Sequence, residues 1–125
     1  MIKYNLSIPE LDKKDVISSM KAIKSGWIST AGKDVKKFEK QICKKVKARY
    51  AIALNSGTSA IHLALAASKV TNGDEVMVQS LTYVATINPI LYLGASPIFF
   101  DVDDRFNMKI DDVIEFLKVK TFFSK

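Results

Sequence analysis

The chain has 125 residues, 48% of them hydrophobic, with one cysteine and one histidine, which leaves room for one small domain with a core and excludes both an intramolecular disulfide and a Cys/His metal cluster. Its net charge of +6 is uneven: residues 1–49 hold 13 Lys and Arg against 5 Asp and Glu, residues 50–125 hold 6 against 8. All but two of the cations, Arg49 and Arg105, are lysines, and no aromatic residues interleave a basic stripe, which argues against a nucleic-acid partner.

Residues 1–11 read as an irregular arm containing Pro9. Asp12 can cap a helix to about Ser25, with Val16, Met20 and Ile23 on its apolar face. A loop with glycine at each end follows, Gly26 to Gly32. A second amphipathic helix, about Asp34 to Lys47, should bury Val35, Phe38, Ile42 and Val46, with Cys43 beside them as a small hydrophobe. From residue 50 short apolar runs alternate with helical stretches. Strands are predicted at Ala51–Asn55, Glu75–Gln79 and Pro97–Asp101, and helices at Thr58–Lys69 and about Tyr83–Tyr92. Asp111 should cap a last helix through about Val119. Such alternation means α/β architecture, a parallel sheet with helices on both faces. The division expected is 1–49, arm and two helices, and 50–125, an α/β domain. The N-terminus lacks a signal pattern. The most apolar stretch, Ala85 to Phe100, is short and broken by Pro89, Gly94 and Pro97, so no membrane partner is expected and the protein is read as cytoplasmic.

The segment from Asn55 to Leu65 is the most informative for function. A strand enters a tight turn of small residues, Ser56-Gly57-Thr58-Ser59, which opens a helix. Backbone N–H groups at a helix start face outward, the peptide dipoles favour an anion, and three hydroxyls add donors. Two readings fit these residues: a phosphate site, or a Ser-capped helix without a ligand. Neither a Walker loop nor a Gly-x-Gly-x-x-Gly fingerprint is present, so a standard nucleotide site is not indicated. Asp101, Asp103 and Asp104 read as a strand end entering a turn, and no metal site is predicted.

In series, Gly26-Trp27-Ile28-Ser29 with Gly32-Lys33, Phe38-Glu39, Ala51 through Leu65, Gly73-Asp74-Glu75-Val76, Ser80 through Thr86 and Gly94 through Asp103 resemble the DegT/DnrJ/StrS family of nucleotide-sugar aminotransferases. Within it the likeness is greatest to members of the perosamine, bacillosamine and legionaminic-acid pathways. It implies the N-terminal part of the type I fold of aminotransferases that use pyridoxal 5'-phosphate (PLP). It also implies transfer of an amino group from glutamate to a nucleotide-linked 4-keto-6-deoxy sugar, and a homodimeric intact enzyme. By the resemblance, Ser56, Gly57 and Thr58 hold the PLP phosphate, Tyr83 lies against the pyridine ring, and the loop with Trp27 and Ile28 lies near the sugar nucleotide. Read without it, Tyr83 is a core aromatic and Trp27 anchors a turn.

The resemblance also implies what is missing. The family's Schiff-base lysine and its pyridinium-pairing aspartate come from later sequence, so no catalytic residue is assigned here, and the chain is expected to be a fragment, inactive alone. The alternative is a non-catalytic remnant or a partner subunit of a full-length or split enzyme. Consecutive strands usually neighbour one another. The type I plan instead implies that Glu75–Gln79 pairs with Pro97–Asp101 while Ala51–Asn55 stands apart, leaving an incomplete parallel sheet.

Overall fold

The computed structural model describes residues 8–29 and 32–120, Lys120 by its backbone alone. Most of the predicted N-terminal arm, Thr30 and Ala31 of the glycine loop, and residues 121–125 lie outside the described residues. The chain divides into two units, Met1–Ala53 and Leu54–Lys125.

The first unit carries two helices. Helix α1, Lys13–Lys24, starts as Asp12 predicts: the Asp12 carboxylate accepts the amides of Lys14 and Asp15, and the Asp15 carboxylate accepts the Asp12 amide. This reciprocal capping box satisfies backbone donors that a helix start otherwise leaves unpaired. Helix α2, Lys33–Val46, ends where Lys47 turns left-handed at φ 55° and the Ala48 amide closes on the Cys43 carbonyl. The apolar faces of both helices correct the prediction. Val16, Met20, Ile23, Phe38 and Val46 all remain exposed, and only Val35, Ile42 and Cys43 are half-buried. Amphipathic spacing defines a face, but burial needs a second surface.

The second unit is the α/β one. Helix α3, Gly57–Ala67, is followed by strand β1, Glu75–Gln79, a 3-10 turn at Val84–Thr86, the short helix α4, Asn88–Tyr92, strand β2, Ser96–Phe100, and helix α5, Ile110–Lys120. The strands β1 and β2 form a parallel pair in which Met77 faces Ile98 and Gln79 faces Phe100. Val78, Ile90 and Ala95 form the buried centre, with Leu65, Val70, Val76 and Ile87 packed around them. Strand side chains alternate in direction, so Phe100 lies on the face opposite Val78. There it meets Phe116 of α5 edge-on, with ring centres 5.4 Å apart. Both faces thus carry a helix, yet Met77 and Phe99 stay exposed.

Three local predictions are corrected. Ala51–Asn55 is not a strand: it runs without ladder bonds, because no neighbouring strand lies beside it among the described residues. The helix expected from Tyr83 is split, since Pro89 has no N–H and its ring would collide with a continuing turn. The chain passes instead through the 3-10 turn and restarts as α4 with Pro89 in its first turn. Asp111 lies within the first turn of α5 rather than at its cap. Between α4 and β2, Gly94 takes φ 73° with the Asn72 side chain close by; a Cβ there would lie 2.9 Å from Asn72 Oδ1. Only glycine fits that turn.

Candidate phosphate-binding turn and glycine loop

The turn at the start of α3 is built as the sequence predicts, except that a segment without regular structure rather than a strand leads into it. Ser56 is the N-cap, in extended conformation, and its Oγ accepts the Ser59 amide at 3.1 Å. The Ser56 and Ser59 hydroxyls lie 3.0 Å apart and share one proton, which leaves the other free to donate outward. The Ala60 amide closes the first helical bond onto the Ser56 carbonyl. Among the described residues the amides of Gly57 and Thr58 and the Thr58 hydroxyl have no partner. Ser56 and Gly57 are exposed, and a Cβ built on Gly57 meets nothing within 4 Å.

Two amides, the Thr58 hydroxyl and one serine hydroxyl are therefore left without a partner among the described residues at the positive end of a helix dipole. That is the donor chemistry a phosphate dianion needs, so these residues fit the phosphate of PLP.

Tyr83 is the N-cap of the 3-10 turn that packs against α3, and 79% of its surface is open. The core reading of this residue is thereby corrected: the ring is not part of the hydrophobic centre. Nearby, the Thr82 and Thr86 hydroxyls pair at 2.9 Å across the turn. Trp27 and Ile28 belong to the other unit, where both are exposed. The Asp cluster is a turn: Asp103 Oδ1 accepts the amides of Arg105 and Asn107, each at 2.9 Å.

One contact was not assigned from the sequence. Glu39 Oε1 accepts the Ala53 amide at 3.0 Å, tying α2 to the segment three residues before Ser56. Its only signal was the Phe38-Glu39 pair within the motif series, which carried no role on residue pattern alone.

With this geometry, comparison with known proteins is direct. Residues 9–123 match the model of the DegT/DnrJ/EryC1/StrS aminotransferase family, and the chain belongs to that family. A GDP-perosamine synthase of Escherichia coli O157:H7 is 39% identical over 114 residues, covering 90% of this chain and 31% of the relative. A UDP-4-amino-4-deoxy-L-arabinose–oxoglutarate aminotransferase of Shewanella sediminis is 39% identical over 95 residues, covering 76% of this chain and 24% of the relative. Among solved structures, an E. coli GDP-4-keto-6-deoxy-D-mannose-3-dehydratase with bound hydrated PLP superposes over 100% of this chain and 33% of its own, with TM-score 0.82 and 27% identity. An aminotransferase from Psychrobacter cryohalolentis matches with TM-score 0.72 and 31% identity, over 76% of this chain and 24% of its own. The chain thus spans about a third or less of the relatives it matches.

Proposed function

We propose that this chain contributes the cofactor-phosphate turn and a substrate-facing loop to a cytoplasmic, homodimeric PLP enzyme. That enzyme moves an amino group from glutamate to the 4-keto carbon of a nucleotide-linked 6-deoxy sugar, in surface-polysaccharide or nonulosonic-acid synthesis. The observation that carries this reading is the set of uncommitted donors at the start of α3. The relatives' names, which include a GDP-perosamine synthase and a UDP-sugar aminotransferase, support the substrate class.

PLP, when bound, supplies an electron sink for chemistry at the amino-bearing carbon. The chain's own residues would bind and orient. The Gly57 and Thr58 amides, with the Thr58 hydroxyl and one of the Ser56 and Ser59 hydroxyls, hold the phosphate. Tyr83, exposed on the element packed against α3, covers one face of the pyridine ring and excludes water from it. Trp27 and Ile28 lie against the sugar nucleotide.

A second reading has one observation behind it: a solved relative is a 3-dehydratase. The same architecture then serves loss of a hydroxyl group instead of amino transfer. The aminotransferase description of the family favours transfer.

The phosphate assignment is tested by comparing PLP with 5'-deoxypyridoxal, which keeps the free aldehyde but lacks the phosphate. The chain should retain PLP at one site per molecule and not 5'-deoxypyridoxal. Thr58→Ala should weaken retention about tenfold, the scale of one charge-assisted hydrogen bond. Equal retention of the two aldehydes removes the assignment.

A further inference from the structure

Helix α2 carries one charged side chain on the face it half-buries. Val35, Glu39, Ile42 and Cys43 recur at i, i+4, i+7 and i+8, so they share one face of the helix, and all four are half-buried. An apolar residue is expected at the second of these positions, because taking a carboxylate partly out of water is costly unless it is bonded. No ion pair reaches Glu39 among the described residues, where the one salt bridge joins Lys109 and Asp112. Its bond is to main chain instead: Oε1 accepts the Ala53 amide at 3.0 Å.

The segment that receives this bond has no other hold. Among the described residues no other main-chain N–H or C=O from Ala51 to Asn55 is bonded. Both partners belong to the first unit, and the chain leaves that unit directly after Ala53. Three residues later Ser56 caps α3, at most ~11 Å of extended chain from Ala53. A sheet ladder would hold such a lead-in at several points. Here the Glu39 carboxylate holds it at one. The turn itself is closed by the short-range bonds of Ser56 to the Ser59 and Ala60 amides, so the freedom left is in the main chain that enters it.

We propose that Glu39 is a positioning residue of the phosphate turn: its carboxylate fixes Ala53 and so limits the main-chain arrangements from which the Gly57 and Thr58 amides are presented together. The inference rests on the phosphate reading above and gives Glu39 no contact with the cofactor. Releasing one backbone residue multiplies its accessible arrangements about tenfold. Apparent affinity falls with the fraction of molecules in the competent arrangement.

Glu39→Leu and Glu39→Gln separate this role from a merely structural one. Leucine is a strong helix former and suits a half-buried helix face, so it should keep or raise the melting temperature, but it has no acceptor. Glutamine keeps a carbonyl oxygen at the same reach. Glu39→Leu should weaken PLP retention about tenfold and Glu39→Gln by less than about threefold, with helical ellipticity unchanged in both. Hydrogen exchange read residue by residue should find the Ala53 amide slow in the parent chain and in Glu39→Gln, and fast in Glu39→Leu. Added PLP should slow the Gly57 and Thr58 amides in the first two and much less in the third. Full retention of PLP by Glu39→Leu overturns the proposal, and so does a fast Ala53 amide in the parent chain. Equal loss in the two variants also overturns it, since glutamine keeps the acceptor. A parent chain that holds PLP and 5'-deoxypyridoxal equally removes the phosphate turn and this inference with it. Discrimination by the parent chain with no loss in Glu39→Leu removes this inference alone.

Discussion

At the scale of single residues, the glycines of the phosphate turn and of the Asn72–Gly94 crossing do different work, and substitution separates them. Gly57 has an ordinary helical-side backbone and open space where a methyl would sit. Gly57→Ala should therefore leave the melting temperature within a degree or two while weakening PLP retention, because the methyl enters the volume a phosphate needs. Gly94→Ala should do the opposite. Its left-handed backbone and the contact with Asn72 Oδ1 should lower stability by at least ~1–2 kcal/mol, read as a lower melting temperature. Ser56→Ala should act mainly on stability, removing an N-cap worth about 1 kcal/mol, while the Ser59 hydroxyl keeps one proton free to donate. If Gly57→Ala melted as early as Gly94→Ala, the turn would be a structural element first and an anion site second.

At the scale of elements, the helix starts obey local chemistry. The capping box of α1 predicts that Asp12→Ala lowers stability by about 1 kcal/mol, with a loss of helical ellipticity. Helix α3 also makes a chemical prediction. Its 11 residues span about 16 Å, and Lys69, the one lysine adjoining it, lies past the end away from Gly57. Borohydride treatment of the chain with PLP should therefore give scattered lysine labelling and no stoichiometric adduct at Lys69. A single-site adduct there would mean that the helix does not separate the two ends. Ala51–Leu54 shows the limit of local reasoning. Its short apolar run resembles a strand, but a strand exists only with a partner. Among the described residues, only the Ala53 amide of this segment has a partner, Glu39, so hydrogen exchange should be fast across 51–54 apart from that amide.

For the whole molecule, the balance between apolar content and burial is the main result. The buried apolar residues among those described are Val78, Ile90, Ala95, Phe100 and Val113, with Pro89 beside them. Against these, Val16, Ile17, Met20, Ile23, Trp27, Phe38, Tyr50, Leu81, Tyr83, Phe99 and others stay open to water. A two-stranded sheet also leaves both of its edges unpaired. The 125-residue chain by itself should bind a hydrophobic dye strongly and self-associate in size-exclusion chromatography. A monodisperse monomer that does not take up the dye would show that the small centre around Val78 and Ile90 suffices.

Much of this protein was legible in the order of its residues. The Asp12 cap, the Ser56 cap, the Glu75–Gln79 strand and the family likeness depend on interactions within a few residues or on motif series. Sequence carries those directly. The parallel pairing of Glu75–Gln79 with the Ser96–Phe100 strand was also legible, through the family plan. What tertiary structure decided is which apolar faces meet a partner and which do not. Periodicity marks Val16, Phe38 and Ala51–Leu54 as faces for burial but says nothing of whether a second surface is present. The bond from Glu39 to Ala53 and the closure of Gly32 onto Trp27 were likewise decided in space, since each joins groups that local spacing does not relate.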